Sequence, residues 1–187
     1  FHKPDRFYIG SQYLHLSDDM GDTWKIISPD LTTNDKSKQT QIESGGLSMD
    51  NSGAENHTTI FTIAESPVDE DVIWVGTDDG NVQLTIDGGK SWSNLTSNLN
   101  GIPENTWVYH IEPSIHDVKT AYAVFDGHTT GDMKPYALKT EDYGLTWMNI
   151  IPNEDVYGFT RSIQEDYINP NLLFLGTEFG LYISING

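Results

Sequence analysis

The residues best suited to chemistry lie in two polar stretches between apolar runs. One is Asp126-Gly127-His128-Thr129-Thr130-Gly131-Asp132-Met133-Lys134. The other is the long Gly-rich segment Pro29–His57, which carries Asp50, Asn51, Glu55 and His57. Carboxylates beside an imidazole can hold a divalent cation, and with Trp107 nearby they can hold a sugar by hydrogen bonding and ring stacking. Two opposed carboxylates can also hydrolyse a glycosidic bond, and Asp126 or Asp132 with Glu55 is the pair for that. Asp126-x-His128-x-x-x-Asp132 matches no metal signature strongly enough to stand by itself. The same residue types also simply form turns. Glu178, in the turn of a later hairpin, completes the candidate set. His15 lies between apolar neighbours and reads as structural, while His110 and His116 have no companions in sequence.

These stretches are positioned by short runs rich in β-branched and aromatic residues and bounded by Gly, Asp, Asn or Pro. Such runs are strands. They fall at Arg6–Gly10 and Tyr13–Ser17, then at Thr59–Ala64, Val72–Gly76, Asn81–Ile86 and Ser91–Leu95. Others are Ala121–Phe125, Tyr136–Thr140, Leu172–Gly176 and Leu181–Ser184. The second copy reads as a four-stranded antiparallel meander, and the third repeats it from Trp107 to Ile150. The first lacks its opening strand and the fourth stops after three. No stretch sustains a helical period, so the fold class is all-β.

An eight-residue box recurs at the third turn of each unit. Its pattern is Ser/Thr-x-Asp-x-Gly-x-Ser/Thr-Trp. The copies are Ser17, Asp19, Gly21, Thr23, Trp24; Thr85, Asp87, Gly89, Ser91, Trp92; and Thr140, Asp142, Gly144, Thr146, Trp147; a fourth starts at Ser184. The hairpin needs a residue of positive φ, which each Gly supplies. Each Asp can accept backbone N–H bonds across the turn, and each Trp can bury its ring between neighbouring sheets. These roles are structural. A repeat at this scale marks a repeat architecture.

The boxes resemble Asp-box (bacterial neuraminidase) repeats, and the chain resembles sortilin-like β-propellers, including bacterial proteins of glycosyl-hydrolase-like type. The resemblance implies a propeller of four-stranded blades. The blade parts are 1–33, 58–98, 106–151 and 158–187, with a long inserted loop at 34–57. A ring in this family takes more blades than the chain holds. The expectation is a partial propeller, two complete blades between two partial ones, joined by remaining blades of the same propeller or a partner chain. The alternative is a four-bladed ring in which Arg6–Trp24 completes the blade begun at Phe159.

Composition narrows the function. The chain of 187 residues has 28 acidic and 10 basic residues, a formal charge of −18. That surface repels phosphate backbones and anionic lipid, so nucleic acid and membrane insertion are not expected, and cationic partners fit better. Without Cys there is no disulfide or thiolate chemistry. Sialidases grip a carboxylate with three Arg, whereas this chain has Arg6 and Arg161 alone. No cofactor is required, and a divalent cation such as calcium is the one the rim could take. Both insertions should project from one face, because interblade connections and second-to-third-strand turns emerge on the side opposite the boxes. The reading is a non-catalytic extracellular, periplasmic or cell-surface module that recognises a glycan, peptide or neighbouring domain through that face. The alternative is the propeller of a glycoside hydrolase-like, polysaccharide-processing enzyme.

Overall fold

The computed structural model describes residues 2–39, 57–151 and 155–187. It contains four antiparallel sheets. The first is β1 (Phe7–Gly10), β2 (Leu14–Ser17) and β3 (Lys25–Ile26). The second is β4 (Ile60–Glu65), β5 (Ile73–Thr77), β6 (Val82–Thr85) and β7 (Ser93–Asn94). The third is β8 (Trp107–Pro113), β9 (Ala121–Gly127), β10 (Asp132–Thr140) and β11 (Met148–Asn149). The last is β12 (Thr160–Glu165), β13 (Leu173–Thr177) and β14 (Gly180–Ser184). Each sheet is a meander in chain order. The fold is an all-β propeller arc of two four-stranded blades flanked by two three-stranded ones. The described helical structure is three short 3-10 turns, at Lys36–Lys38, Thr96–Asn98 and His128–Thr130.

The cores are the seams between sheets. Leu14, Leu31, Ile60, Ile73 and Val75 fill the first seam. Trp74, Leu84, Leu95, Val108, Phe125, Leu138 and Trp147 are among those filling the second. Tyr122, Val124, Ala137, Ile163 and Leu173 fill the third. Each such side chain gains about 1.5–3 kcal/mol from leaving water. Close approach needs small residues: a Cβ on Gly76 would sit 2.4 Å from Val108 Cγ1, and one on Gly10 would sit 2.6 Å from Ile60.

The boxes form one hydrogen-bond pattern three times. In the first, Thr23 N and Oγ1 donate to Asp19, Ser17 Oγ donates to Asp19, and Gly21 N donates to Ser17 Oγ. Asp87 and Asp142 accept the equivalent bonds. Each turn uses two consecutive left-handed residues where one was expected: Met20 and Gly21, Gly88 and Gly89, Tyr143 and Gly144.

The boxed tryptophans differ. Trp147 is 6% exposed and meets Trp74 edge-on, and Trp92 Nε1 donates to Ile27 O. Each therefore packs against the preceding sheet. Trp24 was expected to be buried likewise, but it is 40% exposed and donates to Gly21 O in its own turn. No sheet precedes the first among the described residues. The four-bladed ring is also not formed: β1–β3 and β12–β14 remain separate three-stranded sheets. The stretch Asp126–Lys134 is mostly extended strand, since β9 runs to Gly127 and β10 starts at Asp132.

Candidate functional site

The first strands of successive sheets, β4, β8 and β12, lie beside one another and form the inner wall of the arc. Each carries a β-bulge at the same place, where the register shifts between Ile60 and Thr62, Val108 and His110, and Thr160 and Ser162. The bulged residues are Phe61, Tyr109 and Arg161. A bulge re-aims a side chain, and these three meet along the wall. Phe61 lies 5.1 Å from Tyr109 and 5.3 Å from Trp107, ring centre to ring centre, with tilts of 49° and 46°. Phe61 is 44% exposed, so the row faces water. The Arg161 guanidinium sits 4.4 Å from the Tyr109 ring centre and 4.8 Å from that of Phe159, and its Nη1 donates to Tyr109 Oη.

Asp126 anchors this cluster. It pairs in register with Trp107, and its carboxylate is fully buried. Arg161 Nε lies 2.9 Å from Oδ2, oriented as an ion pair and not as a hydrogen bond. His128 donates to the same carboxylate from its backbone N and its ring. A carboxylate only accepts, so a proton sits on His128 Nδ1. The His128 ring stacks on Phe159 at 4.8 Å. Buried Asp126 is thus compensated by two neighbours, as a buried charge must be.

The remaining candidates go elsewhere. Asp132 accepts from Tyr136 Oη at 2.7 Å and Lys134 N at 3.1 Å, and the Tyr136 bond holds its carboxyl below the usual range. It is occupied by its own strand. His57 Nδ1 is 3.9 Å from Asp78 Oδ2, over the turn between β5 and β6. Asp78 also accepts from Thr58 N and Thr59 N, and burial raises its carboxyl. Glu178 is exposed in the turn between β13 and β14, and its N donates to Phe159 O. Asp50, Asn51 and Glu55 lie outside the described residues. Thr33 bonds to Asp79 and Gln39 to Thr58, so the described ends of the long loop meet the rim that also carries Asp126 and His128. Among the described residues no group of three or more His, Asp or Glu is arranged to hold a metal ion.

Reading the rim loops alone missed Phe61, Phe159 and Arg161, which lie on or next to first strands. It also missed Glu112. Gln164 Nε2 donates to Glu112 Oε1, and His110 Nε2 lies 3.8 Å from Oε2, so His110 does have a companion. Burial raises the Glu112 carboxyl to about 7 despite the Gln164 bond, and burial lowers His110. The signal in sequence was positional: aligning the three first strands puts Phe61, Tyr109 and Arg161 in one row and Ala64, Glu112 and Gln164 in another.

No family model matches the chain, and no curated protein sequence does. Solved structures match throughout its length. A GH74 enzyme from Niastella koreensis aligns with a TM-score of 0.67 and 18% identity, over 100% of this chain and 27% of the enzyme. The GH74 xyloglucanase from Xanthomonas campestris gives 0.66 and 18%, over 100% of this chain and 27% of that one. YCF48 from Cyanidioschyzon merolae gives 0.53 and 22%, over 68% and 37%, and YCF48 is also known bound to a D1 peptide. At such identities the likeness is one of fold. The chain is an arc of a β-propeller, similar in fold to GH74 enzymes and YCF48 and spanning 27% of the two GH74 enzymes named here.

Proposed function

We propose that the chain is part of a non-catalytic binding propeller of Asp-box, sortilin-like type. It captures a peptide or glycan at the wall lined by Phe61, Trp107, Tyr109 and Arg161. The supporting observation is the aromatic row, exposed at Phe61 and half-buried at Trp107 and Tyr109, set beside an internally neutralised Arg161–Asp126 pair. Such a row offers ring faces for stacking. Asp126 and Asp132 are both occupied, which leaves neither free to act on a substrate. The YCF48–peptide structure supports peptide capture by this fold as a general capacity. An extracellular, periplasmic or surface setting fits the acidic surface. The test is titration of the protein against peptide and oligosaccharide panels, with Phe61→Ala and Trp107→Ala as controls. Capture that both variants weaken supports the reading. Absence of capture, or capture that neither variant changes, rejects it.

One observation favours the polysaccharide-processing alternative. Glu112, with its carboxyl raised to about 7, has the ionisation expected of a general acid. Release of reducing sugar from a polysaccharide, lost in Glu112→Gln, would establish that alternative.

The apolar faces of the end sheets are also open. Phe7, Ile9 and Ile26 are exposed on the first, and Leu181 and Ile183 on the last. They fit further blades, from the rest of the same polypeptide or from a partner chain.

A further inference from the structure

The wall joins two features that the rim reading does not use. Exposed Phe61 and half-buried Trp107 form an aromatic shelf. Glu112 lies farther along β8, five residues past Trp107, or about 16 Å at the usual strand rise. Between them Arg161 covers Tyr109 and is neutralised by Asp126. The wall therefore presents ring faces and one carboxylate, with no uncompensated cation from Arg161. The chain as a whole carries −18. Ring faces attract cations through their quadrupole, and Arg161 over Tyr109 and Phe159 already shows this on the same wall. On this wall the one guanidinium an anionic ligand could use is already paired, and the chain's net charge opposes anion approach.

We infer that the shelf and Glu112 form one site for a basic peptide segment, with one Lys or Arg side chain over Phe61 and Trp107 and a second at Glu112. This rests on the binding reading above and names its ligand class. An extended peptide advances about 3.3 Å per residue, so the two basic residues stand about five positions apart. The groups around Glu112 include His110 on its own strand, Tyr122 opposite it on β9, and Gln164 and Glu165 on β12. Glu165 is committed to Ser114, Ile115 N and Tyr122, so Glu112 is the carboxylate left to receive a cation. Because burial holds much of Glu112 protonated near neutrality, an arriving cation drives its ionisation and releases a proton.

The experiment is calorimetric titration at pH 6.5 and low salt in two buffers of different ionisation enthalpy. The probes are a Gly/Ser peptide with two lysines about five positions apart, its aspartate counterpart, and cellohexaose. The lysine peptide is expected to bind and release protons. Trp107→Ala or Phe61→Ala should weaken it about tenfold. Glu112→Gln should weaken it similarly and abolish proton release, with a cooperative melting transition as evidence of folding. Cellohexaose binding without lysine-peptide binding would overturn the ligand class and leave the binding reading standing. Lysine-peptide binding that none of the three variants alters would show general charge attraction and overturn the site.

Discussion

The Tyr122 hydroxyl donates to Glu165 at 3.1 Å across the seam between the third and fourth sheets, both residues buried. The same latch joins the first two sheets, where Tyr8 donates to Glu65 at 2.6 Å. At the middle seam the equivalent positions are Trp74 and Pro113, and the edge-on Trp74–Trp147 contact stands in its place. Tyr122→Phe removes one donor from a buried carboxylate that keeps Ser114 and Ile115 N. It should cost about 1–2 kcal/mol, read as a lowered denaturant midpoint at unchanged slope.

Glu112 sets the neutral side of the stability profile. Its carboxyl rises from 4.5 to about 7 on folding. The unfolded chain releases this proton more readily, so the stabilisation is complete below 4.5 and is lost as pH rises through about 7. Denaturation midpoints should fall between pH 5 and 8. Glu112→Gln should flatten that slope, and an unchanged slope would refute the assignment.

The boxes set the acid side. Bonds from Ser17 and Thr23 lower Asp19 to about 2, bonds from Ser91 and Thr85 lower Asp87 to about 2, and bonds from Thr146 lower Asp142. Their stabilisation is present above the ordinary 3.8 and is lost as pH falls below it, through about 2 for Asp19 and Asp87. Asp87→Ala should raise the pH at which acid unfolding begins, as followed by circular dichroism.

Two glycines of similar φ should respond differently to Ala. Gly144 has φ +77°, and a Cβ there would lie 2.5 Å from Leu95 Cδ1 and 3.3 Å from the Trp74 ring. Gly131 has φ +84° with nothing within 4 Å. Gly144→Ala should cost about 2–4 kcal/mol from strain plus overpacking, and Gly131→Ala about 1–2 from strain alone. Chemical denaturation of the pair separates crowding from backbone geometry.

The architecture was legible in sequence because the boxes and alternating strands are local signals. Val72–Gly76 differs from β5 by one residue at each end. The site was less legible because it depends on which residue each bulge turns toward the axis. Arg161 read as an isolated basic residue on a strand, yet its value lies in contacts with Tyr109, 52 positions away, and with Asp126. Asp132 read as half of a carboxylate pair, but Tyr136, four positions on, claims it. Such pairings arise only when sheets from distant sequence stack side by side.

The exposure of Trp24 bears on how the arc comes apart. Each sheet touches only its neighbours, so its stability is set largely by how many flanks are covered. In the chain by itself, among the described residues, the first and last sheets have one covered flank each, while the second and third have two. Amide exchange should then be graded, fastest in β1 and β14 and slowest in β5 and β9. Melting would begin as fraying inward from the ends, with the Trp74–Trp147 clasp dissolving last.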